Sequence, residues 1–550
     1  MPTIFVKPIG ITIEMRSGET LHKSLERSGV QIETPCGGSG ICGRCRVWAE
    51  EPDKIPLTPN ENISHDEEAQ GLRLACMAIP EASTVVRLEE NYLYENRDQS
   101  DGKEYQSHSD LRILSSGKTR NRGSISPVVT AIEGGPSCPK GLAIDIGTTT
   151  LVISLISLTT GRVLASGSSL NPQVVNGHDV LSRIQYASTA KGLSEMAALI
   201  RNKINELVQQ ACNDAESQRD DIVDVAIGAN TTMLQIAASV DPTPLGHLPF
   251  KVDIKGSTTF PASQFGLNVN ARARVYIPPV MHAFVGSDIS AGLLSCPDFF
   301  EDDRSVLYLD MGTNGEICLN VRGQRFTTST AAGPAFEGMG ISSGMRATAG
   351  AVERVDVRGG KLIFHLIGDP LPESALSSNN LIESHLNRDR EIKGVCGSGI
   401  VDLIAALLTT DQLERSGKLN NPPFCYGENL YLTQKDIRQI QLAKGAVRTG
   451  VDLILERGGI TCEELDKIYI AGGFGNFLNP VSMERIGLLP DHSSEKVIFC
   501  GNASIDGAIM LLTDSGARTF LEETLHEMEH LQLADSPQFM ECFVKNLNFG

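Results

Sequence analysis

The sequence predicts an α/β protein with an α+β N-terminal domain, and three observations carry that prediction. Residues 142–150 (LAIDIGTTT) and 308–316 (YLDMGTNGE) each read as a buried strand that ends in an acidic residue and a tight, glycine-containing turn. From Lys140 onward, strand hairpins alternate with apolar helices, the pattern of layered α/β architecture. Ahead of both, residues 35–45 (PCGGSGICGRC) crowd three cysteines and four glycines into eleven positions.

Size and charge bound the alternatives. A chain of 550 residues has room for two to four domains and ample core. Hydrophobic content of 41% and charged content of 21% are those of a soluble globular protein. A net charge of −19 argues against a nucleic-acid surface and fits an acidic cytoplasmic protein. The opening MPTIFVKPIG has no basic region followed by an apolar core, so no secretory signal is expected, and no uncharged apolar run reaches membrane-spanning length. Thirteen cysteines, an odd number, suit reduced thiols with one local cluster that needs its own explanation.

That cluster has the spacing Cys36-x5-Cys42-x2-Cys45-x30-Cys76, one residue longer in its first loop than plant-type two-iron sites. Gly37, Gly38, Gly40 and Gly43 let the backbone wrap an inorganic cluster and turn N–H groups toward its sulfurs. A structural zinc site is the competing reading, but zinc sites pair two short Cys-x2–4-Cys knuckles and Cys76 has no such partner. A hairpin over 3–8 and 11–15, a helix over 20–28 and a late strand over 85–88 complete the prediction, and that order resembles the β-grasp ferredoxins over residues 1–92. The lone Trp48 is expected to pack beside the cluster loop. Residues 93–140 are polar and without period, which predicts a flexible linker that gains at most a strand at 126–132.

The two acidic turns are the candidate nucleotide site. Gly147, Thr148, Thr149 and Thr150 in the first, and Gly312, Thr313, Asn314 and Gly315 in the second, offer backbone N–H groups and short polar side chains to a phosphate chain. Asp145 and Asp310 at the strand ends suit a hydrated magnesium ion, and Glu316 joins them as a candidate catalytic carboxylate. The turns stand about 165 positions apart, each followed by a second strand, so two similar half-domains are expected to face one phosphate chain. Asn230 and Thr231 at a predicted helix start either cap it or touch phosphate. Gly286 and Asp288 mark another turn into a helix, where the first half is expected to meet the second. Gly397 and Ser398 open a further apolar helix, and Gly472, Gly473 and Gly475 end a buried strand where a flat adenosine can lie against backbone.

Taken in order, the two phosphate turns and the late glycine turn resemble the superfamily of acetate kinases, sugar kinases, heat-shock proteins and actin. The wording DMGTNGEI, TAAGPAFEGMGISSGMRA, VCGSGIVDLIAAL, IAGGFGNFLNP, CGNASIDGA and SPQFMECFVKNLNF narrows this. Over most of residues 141–550 it resembles the ATP-dependent reductive activators of corrinoid proteins, and the ferredoxin loop fits the same family.

The resemblance implies a β-grasp ferredoxin domain (1–92) with a [2Fe-2S] cluster on Cys36, Cys42, Cys45 and Cys76, a linker (93–140), and a two-lobed actin-like ATPase domain (141–550). It implies an ATP-hydrolysing, corrinoid-activating reductase that passes one electron to inactive Co(II) to restore Co(I). The implied partners are a corrinoid protein and a low-potential electron donor, with homodimerisation through the ATPase domain. One departure is expected: better-known members carry a middle domain where only residues 93–140 stand here, which predicts a partner from a methyltransferase system such as an O-demethylase. The alternatives are a small-molecule kinase with a fused redox domain, which would phosphorylate a metabolite, and a chaperone-like ATPase indifferent to loss of the cluster.

Overall fold

The computed structural model describes the chain except residues 1, 8–10, 17, 29–44, 57–62, 64, 89–113, 116–117, 120–135, 178, 313, 368–391, 428–429 and 473–477. At the N-terminus, β1 (Thr3–Lys7) and β2 (Ile11–Glu14) form a hairpin, followed by α1 (Leu21–Arg27), β3 (Arg46–Ala49), α2 (His65–Ala69), β4 (Leu72–Leu74) and β5 (Thr84–Leu88). The sheet runs β2-β1-β5-β3-β4, with β5 parallel to β1 between them and β3. Alternation along β1 buries Ile4 and Val6, which meet Leu21 and Leu25 of the helix and Val47 and Val86 of the sheet. This is the β-grasp arrangement expected from the order of the elements. Trp48 lies on β3 with the Arg87 guanidinium 6.0 Å over its ring, while the loop it was expected to flank lies outside the described residues.

Within 93–140 the described residues include a small hairpin, β6 (Leu114–Ser115) with β7 (Lys118–Thr119), for which the polar composition gives no period. The strand expected at 126–132 lies outside the described residues.

Two lobes follow. The first contains β8 (Lys140–Ile146), β9 (Thr150–Ser157), β10 (Val163–Leu170), α3 (Val180–Ala187), α4 (Ala190–Asp214), β11 (Ile222–Ala229), α5 (Thr231–Ala237), β12 (Thr258–Pro261), β13 (Arg274–Ile277) and α6 (Ser287–Leu294). The second opens with β14 (Ser305–Met311), β15 (Gly315–Val321) and β16 (Gln324–Thr330), then β17 (Ala351–Arg358), β18 (Lys361–Leu366) and β19 (Gly394–Val395). It continues through α7 (Gly397–Thr409), β20 (Phe424–Gly427), β21 (Leu430–Leu432), α8 (Gln434–Gly458), β22 (Lys467–Ala471), α9 (Pro480–Arg485) and β23 (Val497–Gly501). Helices α10 (Ala503–Thr513) and α11 (Ser515–Leu525), the short β24 (Glu529–His530) and α12 (Phe539–Lys545) close the chain.

The sheets are β10-β9-β8-β11-β13-β12 and β23-β22-β14-β15-β16-β24. In each, an antiparallel three-strand meander (β8–β10, β14–β16) is extended by two parallel strands (β11 and β13, β22 and β23). The duplication expected from the paired turns is therefore present over five strands of each sheet, while the sixth strands, β12 beyond β13 and β24 beyond β16, lie at opposite ends. Strands covered on both faces read as continuous apolar runs: all eight residues of β11 are buried, as is every residue of β14 except Asp310. Helix α4 starts on a Thr189 cap and turns Met196, Ile200, Ile204, Leu207 and Ala211 inward at helical spacing.

Helices α6 and α10 join the lobes. The first leads from lobe one into β14, and the second leaves β23 and packs on β8 and β11. They cross at backbone distance, because a Cβ at Gly507 would run into the Ala291 carbonyl, and Gly292 leaves room for the Tyr308 hydroxyl of β14. The core around them draws Ala143, Ala226 and Tyr276 from one lobe and Tyr308, Cys318 and Tyr469 from the other. A buried ion pair, Arg518 to Asp224 at 2.6 Å, ties α11 to β11. Among the described residues no helix is long and apolar enough to cross a membrane.

Candidate nucleotide site and iron–sulfur site

Both acidic turns are hairpin turns, as expected. Gly147 N–H donates to the Thr150 carbonyl at 3.0 Å, and Gly312 N–H to the Asn314 carbonyl at 3.0 Å. Thr313 lies outside the described residues. Because β11 runs parallel beside β8 with Ala229 opposite Ile146, the turn at Asn230 and Thr231 arrives next to the first hairpin, at the carboxyl ends of the parallel strands where α/β sheets place ligands. Asn230 and Thr231 are engaged there within the lobe: the Asn230 side chain caps α5 through Thr232 N–H at 3.1 Å, and the Thr231 hydroxyl donates to the His282 carbonyl at 3.0 Å.

In the second lobe, Gly472 sits at φ +107° against the last peptide of β14, where a Cβ would strike the Met311 carbonyl. The late glycine turn thus starts beside the second hairpin, while Gly473 and Gly475 lie outside the described residues. Gly397 and Ser398 are used in packing. A Cβ on Gly397 would collide with the Phe336 carbonyl, and the buried Ser398 hydroxyl faces the Cys396 thiol at 3.2 Å. That packing seats a short turn, Pro334–Glu337, whose Glu337 carboxylate accepts a hydrogen bond from the Thr149 hydroxyl at 3.3 Å across the lobes.

Four carboxylates meet at the floor of the cleft. Asp145 accepts from Asn502 Nδ2 at 2.8 Å and from the Ser504 hydroxyl at 2.9 Å. Burial nevertheless pushes its pKa up to about 6, with the two hydrogen bonds pulling the other way. Asp310 is also raised to about 6, by burial and then by the charge of Asp145, and among the described residues its side-chain donor is the Tyr308 hydroxyl at 3.3 Å. Asp288, near the start of α6, is pushed well above the ordinary carboxylate range by burial and by Asp310 and Asp145. Glu316, opposite Asp310 on β15, is raised by burial and by Asp288 and Asp310. Among the described residues no lysine or arginine pairs with any of the four. A cluster of oxygen ligands that repel one another and lack a fixed cation is the donor set a hard divalent ion satisfies.

The structure thus brings together Asp145, Asp310, Glu316, Gly147 to Thr150, Gly312, Asn314, Gly315 and Gly472. It adds Asp288, Asn502, Ser504 and Glu337, which the sequence reading did not place in the site. Gly286 before Asp288, and the stretch CGNASIDGA around Asn502, were the available signals.

At the other end of the chain, Cys45 and Cys76 are buried with their sulfurs 3.2 Å apart and unlinked. Two thiols that close suit a single metal ion of a cluster. Cys36 and Cys42 lie outside the described residues.

Fold and site together define a ferredoxin joined to a two-lobed, actin-like ATPase. Comparison with known families agrees: residues 4–81 match the 2Fe-2S iron–sulfur cluster binding domain, 140–297 the RACo middle region, and 304–550 the C-terminal domain of RACo, the ASKHA domain. The chain is 33% identical over 439 residues to the corrinoid activation enzyme RamQ of Eubacterium limosum, covering 74% of this chain and 70% of that one. It is 25% identical over 422 residues to a reductase of the Co(II) methylated amine-specific corrinoid protein of Methanosarcina barkeri, covering 74% and 77%. A solved reductive activator for a corrinoid, iron–sulfur protein superposes with a TM-score of 0.66 at 26% identity over 100% of this chain and 98% of that one. The chain belongs to the family of reductive activators of corrinoid proteins. The middle-region match falls on the first lobe and α6 rather than on residues 93–140, so the departure expected from the sequence draws no support from it.

Proposed function

We propose that this chain couples ATP binding and hydrolysis in the interlobe cleft to one-electron reduction of a partner corrinoid protein, returning inactive cobalt(II) to cobalt(I). The observation that carries the nucleotide half is the convergence of two hairpin turns and four carboxylates on one cleft floor. In this reading the backbone N–H groups of both turns face the phosphates. Asp145, Asp288, Asp310 and Glu316 hold a hydrated magnesium ion, and Asn502 and Ser504 keep Asp145 aimed at it. The Thr149–Glu337 contact bridges the lobes at the first turn, so a phosphate accepting from Thr149 displaces Glu337 and reports occupancy to the second lobe.

Cys36, Cys42, Cys45 and Cys76 are the residues we assign to the [2Fe-2S] cluster, which when bound supplies a one-electron carrier near about −400 mV. Cys45 and Cys76 are themselves buried in the core of the N-terminal domain. Cobalt(I) formation lies lower still in potential, which is where ATP enters. A binding event that favours one state by about 5.5 kcal/mol is a full population shift. At about 1.4 kcal/mol per ~59 mV for one electron, it offsets roughly 240 mV. Nucleotide-dependent docking on the corrinoid protein is therefore of sufficient size. A corrinoid protein of a methyltransferase system is the partner we favour, because the Methanosarcina barkeri relative is named for a methylated amine-specific corrinoid protein.

The test is an anoxic mixture of reduced full-length protein and a Co(II) corrinoid protein, followed by absorbance with and without MgATP. Cobalt(I) bands that grow only with MgATP support the reading. A phosphorylated small molecule with no cobalt change would mark a kinase instead.

A further inference from the structure

The two thiols nearest the crossover helices are 3.7 Å apart: Cys296, at the end of α6, and Cys500, on β23. We propose that Cys296 and Cys500 form an oxidation site, closed to a disulfide by a peroxide, that disengages Asp145 and stops ATP turnover when the cell is oxidised. The consequence for Asp145 rests on the nucleotide reading above; the disulfide itself does not.

The two cysteines differ in what holds them. Cys296 is fully buried and caps the turn Pro297–Phe300. That turn is anchored by Asp298, which accepts from Lys467 and from the Tyr469 hydroxyl at 2.6 Å, and by buried Phe299 and Phe300. Cys500 is partly exposed and sits on an edge strand. It is also the extra residue of a bulge, since Ile470 pairs with Phe499 and Ala471 with Gly501. An unpaired residue on an edge moves at little cost, so Cys500 is the partner that travels.

A disulfide needs about 2.05 Å between sulfurs. Closing the gap therefore draws Cys500 toward α6 by more than about 1 Å. The next residue, Gly501, accepts from Gly472 N–H at 3.1 Å, and Asn502 donates to Asp145 at 2.8 Å. Pulling the bulge thus disturbs the Gly472 contact and the clamp on the first carboxylate in one movement. A displacement near 1 Å at a positioning group costs on the order of 100-fold in rate.

The chemistry balances with hydrogen peroxide as oxidant. The partly exposed Cys500 sulfur attacks one peroxide oxygen, giving a sulfenic acid and water. The Cys296 sulfur then attacks the Cys500 sulfur, its proton leaves with the displaced hydroxide as a second water, and the S–S bond forms. Two thiols are oxidised by two electrons, one peroxide is reduced, and a dithiol reverses the step. For an enzyme whose product is a strong reductant, halting ATP use under oxidation spares turnover that oxygen would undo.

The experiment uses full-length, cluster-loaded protein, treated anoxically with a small excess of hydrogen peroxide, quenched, alkylated and mapped by mass spectrometry, with ATPase assayed in parallel. The expected result is a Cys296–Cys500 linked peptide, an ATPase rate lower by at least about tenfold, and recovery in dithiothreitol. Cys500→Ala, or Cys296→Ser should that variant fold poorly, keeps its ATPase through the same treatment. Oxidation at the exposed Cys138 and Cys425 without the 296–500 link overturns the proposal. So does a link that leaves ATPase unchanged, or equal inactivation of both variants. If Asp145→Ala retains hydrolysis, the nucleotide reading fails independently, while the linked peptide still stands or falls on its own.

Discussion

The two lobes repeat one strand order yet treat their strand-end carboxylates differently. Asp145 is clamped by two donors, Asn502 and Ser504, that arrive on the crossover helix α10. Among the described residues, Asp310 has one long side-chain contact, from Tyr308 on its own strand. A carboxylate clamped from outside its own lobe is oriented only while the lobes are correctly juxtaposed. One left loosely held is free to follow a cation. In the proposed nucleotide site, the duplicated fold therefore offers one fixed and one adaptable carboxylate, and interlobe geometry governs the fixed one.

The comparison breaks first at the carboxylates themselves. Asp145→Ala and Asp310→Ala should each remove ATP hydrolysis by more than the roughly 100-fold that a supporting residue costs, with the visible iron–sulfur spectrum unchanged. Hydrolysis surviving both changes would contradict the assignment of the two turns. The supporting residues then separate the lobes. Asn502→Ala should lower turnover by about 10- to 100-fold, whereas Tyr308→Phe should stay within about threefold of the parent, because its contact to Asp310 is already near the limit of a hydrogen bond. Equal effects would erase the distinction.

Stability tests the junction between the lobes. Arg518→Met leaves Asp224 buried without its cation and should cost about 3–5 kcal/mol, read as a lower melting temperature of the ATPase region with the cluster absorbance melting as before. A smaller effect is expected from His282 and His530, whose rings stack 3.7 Å apart between the first lobe and the edge strand of the second. Burial lowers His282, and burial with His282 beside it lowers His530 to about 4. The folded state thus keeps His530 neutral while the unfolded chain takes up its proton from about pH 6.5 downward. Stability from this residue should be complete above pH 6.5, decline as pH falls to about 4, and level off below. His530→Asn should flatten that part of the pH–melting profile, and an unchanged slope would assign it elsewhere.

What the sequence revealed follows from which interactions are local. Asp145 through Thr150 and Asp310 through Gly315 are legible because strand, carboxylate and turn are contiguous, and the turn chemistry needs those residue types in that order. The cysteine loop is legible for the same reason. Asp288 and Asn502 were not, because each doubles as ordinary helix-start chemistry. Asn502 does cap α10, its Oδ1 accepting from Ile505 N–H at 3.0 Å, while the other end of the same amide holds Asp145 from 357 positions away. Glu337 reaches Thr149 only because Gly397 allows the turn beneath it to pack against backbone. The matching strand order of the two lobes is likewise set by long-range pairing, which periodicity does not encode.

The central claim is that ATP chemistry in the lobes and electron delivery from the N-terminal domain are separable parts of one reaction. Parallel ATPase and cobalt(I) assays on the full chain and on a chain lacking residues 1–95, each with the same Co(II) corrinoid protein, test it directly. The account predicts that the truncated chain hydrolyses ATP within about twofold of the full chain, still responds to the corrinoid protein by linkage, and forms no cobalt(I). Cobalt(I) appearing without the ferredoxin domain would contradict it.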